Sequence, residues 1–291
     1  MTAVVLALVS SLAYGASDYA SGRLVARLSA AQIVLITSAT QGLVLAVAAF
    51  AAGGAFSAVG FGGGALGGLV GALALMAYYN ALARGPAGIV APIVATSSAL
   101  PVLVSVVLGA GPGPITIVGL LGVLVGLVSL TRSADTGSQS QPGAPTARPV
   151  VLALMASLCF GLAFIVIDAG ADRAPQAAWW VLCGVQIGAL PAALVATGLA
   201  ARGRSLECGA FSGAARTALT IVAILNLVAD GALVFALRAG EVAVVSVLSS
   251  LAPAVTIGLS HVLVRERLTR PQTIGALVTF VATLLVIASA A

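Results

Sequence analysis

The chain is predicted to be an all-α, polytopic membrane protein of about ten transmembrane helices, arranged as two inverted five-helix repeats. Three observations carry this. Of 291 residues, 60% are hydrophobic and only 7% charged, whereas soluble domains carry about 25% charged residues. The apolar runs are about 20 residues long, enough to cross a hydrocarbon core of about 30 Å. The chain also repeats itself: VVLALVSSLAYG at 4–15 returns as VVLALMASLCFG at 150–161, with eight of twelve positions identical. A soluble fold has too little interior to hide this much apolar surface. A β-barrel would need segments of about ten residues with alternating polarity, and the chain lacks them. The 34 glycines suit close helix approach in lipid.

The first repeat, residues 1–131, is expected to hold helices at 3–22, 32–52, 65–83, 88–109 and 114–131. The first of these has no basic residue before its apolar run, is interrupted by Asp18 and recurs at residue 150. It is therefore expected to be a retained helix and not a secretory signal. Residues 53–64, GGAFSAVGFGGG, read as an uncharged connection. Residues 132–149 read as a flexible linker, being polar and rich in Gly, Ser and Pro. The second repeat, 150–291, is expected to hold helices at 150–168, 177–200, 217–237, 242–263 and 271–289. Residues 201–216 carry Arg202, Arg204, Glu207 and Arg216, and read as a solvated loop. Trp179 and Trp180, at the start of the seventh helix, read as an interfacial aromatic belt. Because five is odd, the second repeat enters the membrane opposite to the first. Transporters exploit such inversion to exchange inward- and outward-facing shapes around one site.

The charge pattern sets orientation and excludes some partners. All thirteen basic residues are Arg. Arg173 and Arg238 fall on one face; the other eleven, from Arg23 to Arg270, fall on the opposite face. The positive-inside rule makes that Arg-rich face cytoplasmic and both termini external. Dispersed at helix ends, these arginines form no basic stripe, so no nucleic-acid partner is expected. Cys159, Cys183 and Cys208 have no paired spacing, and with the single His261 they make no metal site. The glycine runs lack the Lys-Ser/Thr of a phosphate-binding loop, so no cofactor is expected. No nucleophile and base arrangement appears either, and the chain is expected not to be an enzyme.

Three stretches carry a family resemblance: YGASDYASGR (14–23), YYNALARGPAGIVAPIVATSSALPVLVSVVLG (78–109) and ALRAGEVAVVSVLSSLAPAVTIGLSHVLVRERLTRPQTIGALV (236–278). They resemble the EamA group of the drug/metabolite transporter superfamily over nearly the whole chain. The first half departs from the pattern, since GAGPGPITIVG (109–119) lacks the Glu-Arg turn. The resemblance implies ten helices in two repeats and transport of a small metabolite. It also implies a path lined by helices one, three, four, six, eight and nine. Many members have cytoplasmic termini, which opposes the Arg distribution, so orientation stays open, with the Arg distribution favouring external termini.

Polar residues in lipid are costly, so each one marks a place with a reason to exist. Asp230 lies about 12 Å inside Arg238 on the eighth helix, where a carboxylate can exchange a proton during transport or bind a buried hydroxyl or Arg. Asn226 is one turn earlier on the same face. Asp18, near the end of the first helix, is either a second site carboxylate or a headgroup-level partner of Arg23. Pro101 and Pro253 each follow paired serines, Ser97-Ser98 and Ser249-Ser250. Proline frees the carbonyl four residues back, here Ser97 and Ser249. These are expected to be hinges whose serines line the path, or kinks satisfied by their own hydroxyls. Gln41 and Gln186 occupy matching positions in helices two and seven, suited to a neutral ligand or to bonding between helices. Tyr78 and Asn80, closing helix three, are further binding candidates, with aromatic anchoring the alternative for Tyr78. Glu266, between Arg265 and Arg267, is either a gate contact or a charge-balanced loop residue.

The function expected is secondary transport of a small organic solute by alternating access in the cell membrane, proton-coupled or by exchange. Ten helices are enough for a complete pathway in one chain. Asp18, Asn80, Arg84 and His261 all lie toward one face, which supports a second reading: a membrane enzyme or lipid flippase working at the headgroups.

Overall fold

The structure is a computed structural model that describes residues 1–24, 28–51, 56–82, 84, 90, 93–109, 112–132, 147–174, 177–201, 213–264 and 270–289. Its helices are α1 (Thr2–Leu24), α2 (Ala30–Ala51), α3 (Ala58–Leu82), α4 (Ala99–Val107), α5 (Pro114–Arg132), α6 (Ala147–Arg173), α7 (Ala178–Ala201), α8 (Gly213–Ala239), α9 (Val242–Ser249), α10 (Ala252–Val264) and α11 (Arg270–Ser289). A 3₁₀ turn, Thr96–Ser98, precedes α4 and belongs to the fourth span. Helices α9 and α10 are the two halves of the ninth. Helices α1, α2, α3, α6, α7 and α8 are each long and apolar enough to cross a membrane.

Local chemistry sets several helix starts. Ser29 and Gln32 form a capping box: the Gln32 N–H donates to Ser29 Oγ at 3.3 Å, and the Ser29 N–H donates to Gln32 Oε1 at 2.8 Å. Pro114 opens α5, where its missing N–H costs nothing. Helix α3 begins at Ala58, not at the expected residue 65, so most of the connection assigned to 53–64 is helix. Ser57 Oγ accepts the Gly60 N–H at 3.1 Å and starts it. Glycines lower helix propensity in water, but in lipid the backbone must bond internally and the helix persists. Helix α6 likewise runs on to Arg173 and takes in Asp168 and Asp172. Helix α8 starts at Gly213, inside the stretch read as a loop. Residues 133–146 of the expected linker and 202–212 of that loop lie outside the described residues.

The inverted repeat is visible in which helices touch. Helix α3 packs on α6, and its repeat counterpart α8 packs on α1. Helix α1 packs on α9 and α10, as α6 packs on the 3₁₀ turn and α4. The pairs α2–α7, α5–α11 and α4–α9 map onto themselves. Two glycines occupying the same place in each repeat show the correspondence at atomic scale. A Cβ on Gly161 would sit 2.5 Å from the Ser97 carbonyl oxygen, and one on Gly15 2.6 Å from that of Ala252. Both first helices of a repeat therefore need glycine where they cross the proline-bearing span of the other repeat.

One pair breaks the symmetry. Helices α3 and α7 are in extensive contact, whereas their counterparts α8 and α2 meet much less. The α3–α7 seam is backbone against backbone: a Cβ on Gly64 would strike the Val181 carbonyl, one on Gly68 the Val185 carbonyl, and one on Gly188 the Ala65 carbonyl. All these residues lie in the half of the bundle away from the Arg-rich face. An aromatic group stands at the same end. Trp180 is only 7% exposed and meets Phe50 and Phe56 edge-on, with centroids 5.1 and 5.0 Å away. The belt assignment is therefore corrected for Trp180, which is packed inside by these rings; Trp179 stays at the surface, edge-on to Phe235.

The proline-bearing spans also differ from each other. The fourth tightens into a 3₁₀ turn at Thr96–Ser98 and continues directly into α4. The ninth is interrupted at Ser250 and Leu251, between α9 and α10. The two meet at these irregular turns, where Ser98 Oγ and Ser250 Oγ are 3.2 Å apart.

Replacing Gly68 by Ala places a methyl group inside the Val185 peptide. Overpacking of this kind costs about 1–3 kcal/mol. Gly68→Ala is expected to lower the thermal unfolding midpoint in detergent, whereas Gly62→Ala, where nothing lies within 4 Å of the added carbon, is expected to leave it within error. Equal midpoints for the two variants would show that the seam does not hold these helices together.

Candidate substrate site

The parting of α2 from α8 leaves a cavity of about 340 Å³ between the repeats. Helix α1 contributes Tyr14, Ser17, Asp18 and Ser21; α2 contributes Ile33, Thr37, Ser38 and Gln41; α3 contributes Gly71 and Tyr78. The second repeat contributes Phe160 and Phe164 of α6, Gln186 of α7, and Asn226 and Asp230 of α8. The proline-bearing spans close it with Ser97, Ser249 and Ser250. Among the described lining residues, the second repeat reaches from mid-helix outward to Ile167, Leu233 and Val234, and supplies none from the Arg-rich end of its helices. The first repeat supplies positions out to Ser21, Ala30, Tyr78 and Val94, beside the Arg-rich face. The cavity thus runs from mid-depth toward that face, and the α3–α7 seam seals the other. Helices α2 and α7 join the six spans that the resemblance implied.

Asp230 anchors the deep end. The Tyr14 hydroxyl donates to its Oδ1, and Gln186 Nε2 donates to its Oδ2 at 2.5 Å. Both carboxylate oxygens are therefore held by donors from other helices, α1 and α7. Hydrogen bonds to a charged group contribute about 1.5–3 kcal/mol each, so this clamp offsets much of the cost of a carboxylate at depth. Gln186 is 5% exposed and lies beside Gly42 of α2, where a Cβ would meet the Gln186 Cβ at an ordinary contact distance of 3.5 Å. Asp18, four residues after Tyr14 and so on the same face of α1, opens into the cavity and is exposed there. The Arg23 side chain lies outside the described residues.

The other expected site residues divide into three sets. Gln41, Tyr78, Ser97, Asn226, Ser249 and Ser250 line the cavity. Gln41 Oε1 and Ser249 Oγ are buried there with no hydrogen-bond partner among the described residues. Ser98, Pro101 and Asn80 are not among the described lining residues. Ser98 is spent on the Ser250 contact, Pro101 is buried in α4, and Asn80 is exposed and bonded within its own helix. Its amide donates to the Met76 carbonyl at 2.9 Å and accepts from Arg84 Nη1 at 2.6 Å. Glu266 lies outside the described residues, as do the side chains of Pro253 and His261. The residue that sequence reading missed is Tyr14. Its signal was a mismatch in the repeat: it aligns with Phe160, so the first copy carries a hydroxyl that the second lacks.

The family model for EamA-like transporters matches residues 1–132 and 147–288. The chain belongs to the EamA-like transporter family. It is thus an integral membrane protein and a membrane transporter of the drug/metabolite type. The match resumes at residue 147, where α6 begins. No curated protein matches the chain. Among solved structures 28 chains match. One crystal structure superposes with a TM-score of 0.77 at 18% identity, covering 97% of this chain and 95% of that one. At that identity the likeness establishes the fold alone.

In this EamA-like transporter the two copies of the repeat are unequal at the site. Phe160 and Phe164 face the cavity from α6 where Tyr14 and Asp18 face it from α1. One side of the cavity is therefore polar and acidic, and the other aromatic. The Asp230 clamp has a measurable signature. Tyr14→Phe and Gln186→Leu each leave one carboxylate oxygen without its donor, and each is expected to destabilise the protein by about 1–3 kcal/mol. In an Asp230→Leu background the same Tyr14→Phe substitution is expected to cost far less, read as a double-mutant cycle of thermal unfolding in detergent. Additive effects would show that the hydroxyl stabilises something else.

Proposed function

We propose that this chain is a secondary carrier that moves a small organic solute across the cell membrane by alternating access, with Asp230 carrying the coupling proton. The observation that supports this most is the central cavity, which lies between two inverted repeats with a clamped carboxylate at its deep end. Two near-equivalent arrangements are open to such a bundle. In one, α3 and α7 are joined and α2 and α8 parted. In the other, the contacts are exchanged. The irregular turns of the fourth and ninth spans, in contact through Ser98 and Ser250, are the hinges in this reading.

Asp230 suits coupling because each of its oxygens already faces a donor that tolerates either protonation state. With the proton on, the tyrosine hydroxyl accepts in place of donating, or the glutamine amide turns its oxygen inward. Solute entering the cavity and proton binding at Asp230 then compete for, or share, the same polar wall. Energy comes from the proton gradient or from exchange of one solute for another.

In proteoliposomes, Asp230→Asn is expected to abolish uptake driven by a pH gradient while sparing solute exchange. Gradient-driven uptake that survives the substitution would sink the coupling role. In the same reading the Arg-rich face is cytoplasmic, so the cavity faces the cytoplasm. A topology reporter placed near Gly137 is expected to be active only in cytoplasmic form; activity of an exclusively external reporter there would reverse the orientation.

A further inference from the structure

Resting on the carrier reading above, we infer that the cavity takes a protonated primary or secondary amine on a small aromatic or apolar body. The ammonium N–H groups are divided between the Asp18 carboxylate and the Gln41 side-chain oxygen.

Charge is the first ground. Asp18 and Asp230 are the ionisable acids among the described lining residues, and no Arg, Lys or His stands with them. Recognition of a carboxylate or phosphate ordinarily uses such cations, so this wall selects against anions. The two acids are not equivalent. Both oxygens of Asp230 are occupied by Tyr14 and Gln186, whereas Asp18 is exposed to the cavity and has no hydrogen-bond partner among the described residues. Tyr14 and Tyr78 lie within electrostatic reach of it. A carboxylate with two tyrosines in electrostatic reach, in a space also lined by Phe160 and Phe164, is a setting in which charge and aromatic rings together stabilise an organic cation.

The second ground is independent of charge. Gln41 is 3% exposed, lines the cavity and leaves its Oε1 without a donor. Its repeat counterpart Gln186 is not idle in this way, because it serves Asp230. A buried acceptor left unpaired is costly, and a ligand that supplies an N–H removes that cost. A quaternary ammonium satisfies Asp18 and the rings equally well but has no proton to give. The geometry therefore separates N–H-bearing amines from their fully methylated analogues, a distinction that net charge alone does not make.

The test uses the purified full chain in lipid nanodiscs, with three probes: phenethylamine, its N,N,N-trimethyl derivative and 3-phenylpropionate. Calorimetric titration is expected to show phenethylamine binding at least about tenfold tighter than the trimethyl form, a difference of one decade in Kd, with no saturable binding of the carboxylate. Gln41→Leu is expected to erase the difference between the two cations while leaving the trimethyl form bound as before. Asp18→Asn is expected to weaken both. Carboxylate binding as tight as the amine overturns the inference, and so does a wild-type protein that binds both cations equally; neither outcome depends on a variant folding. Counterflow in proteoliposomes separates this inference from the one beneath it. Amine binding of the expected pattern without counterflow by phenethylamine leaves the site standing and removes the carrier reading. Counterflow of a non-amine solute that phenethylamine does not inhibit leaves the carrier and removes the amine.

Discussion

Helices in lipid gain nothing from hiding apolar side chains from water, because the surrounding tails are just as apolar. What holds this bundle together is close approach of backbones, and the α3–α7 seam is its most concentrated instance. Gly64 and Gly68 on one helix and Gly184 and Gly188 on the other leave carbonyls of the partner helix where side chains would otherwise stand. Dispersion between atoms at contact distance replaces the hydrophobic effect as the driving term. Everything else about the site follows from where that contact is made. With α3 and α7 joined on one side, the pseudo-symmetric contact between α2 and α8 is relaxed, and the space released there is the cavity.

The cavity inherits its chemistry from the failure of the repeats to match. Duplication alone would give two equal walls. Substitution has placed Tyr14 and Asp18 on one wall and Phe160 and Phe164 on the other. The matched glutamines have likewise been given different work. Gln186 holds a carboxylate, while Gln41 lines the cavity with its buried side-chain oxygen unpaired among the described residues. A twofold scaffold thus presents a one-sided binding surface, so a solute with a polar head and an apolar body has a defined orientation in it.

Most of the architecture was legible because membrane helices announce themselves by length and composition. The repeat at 4–15 and 150–161 carried the inversion, and the depth of Asp230 marked the polar centre of the site. The parts that were not legible depended on contacts between distant segments. Tyr14 reads as an ordinary aromatic midway along a helix until Asp230, 216 residues away, is seen to accept its hydrogen bond. Trp180 reads as an interfacial anchor until Phe50 and Phe56 close over it. The start of α3 was hidden for a different reason: Gly62, Gly63 and Gly64 look like a loop on a scale calibrated in water, and only the packing of Gly63 on Gly170 and of Gly64 on Val181 explains why the helix needs two of them. Proline signalled irregular backbone in two spans, but not that one would tighten and the other divide.

The crossing of α1 over the ninth span places two adjacent residues in different tasks. Gly15 rests on the Ala252 carbonyl, at the first residue after the interruption, and its own carbonyl accepts the Thr256 hydroxyl at 3.0 Å. Tyr14, one peptide bond away, grips Asp230. Helix α1 therefore acts as a crank, with its bearing on the divided helix and its handle on the buried acid. In the carrier reading proposed above, occupancy of the carboxylate and the bend of the ninth span would be geared to each other through this single turn of helix.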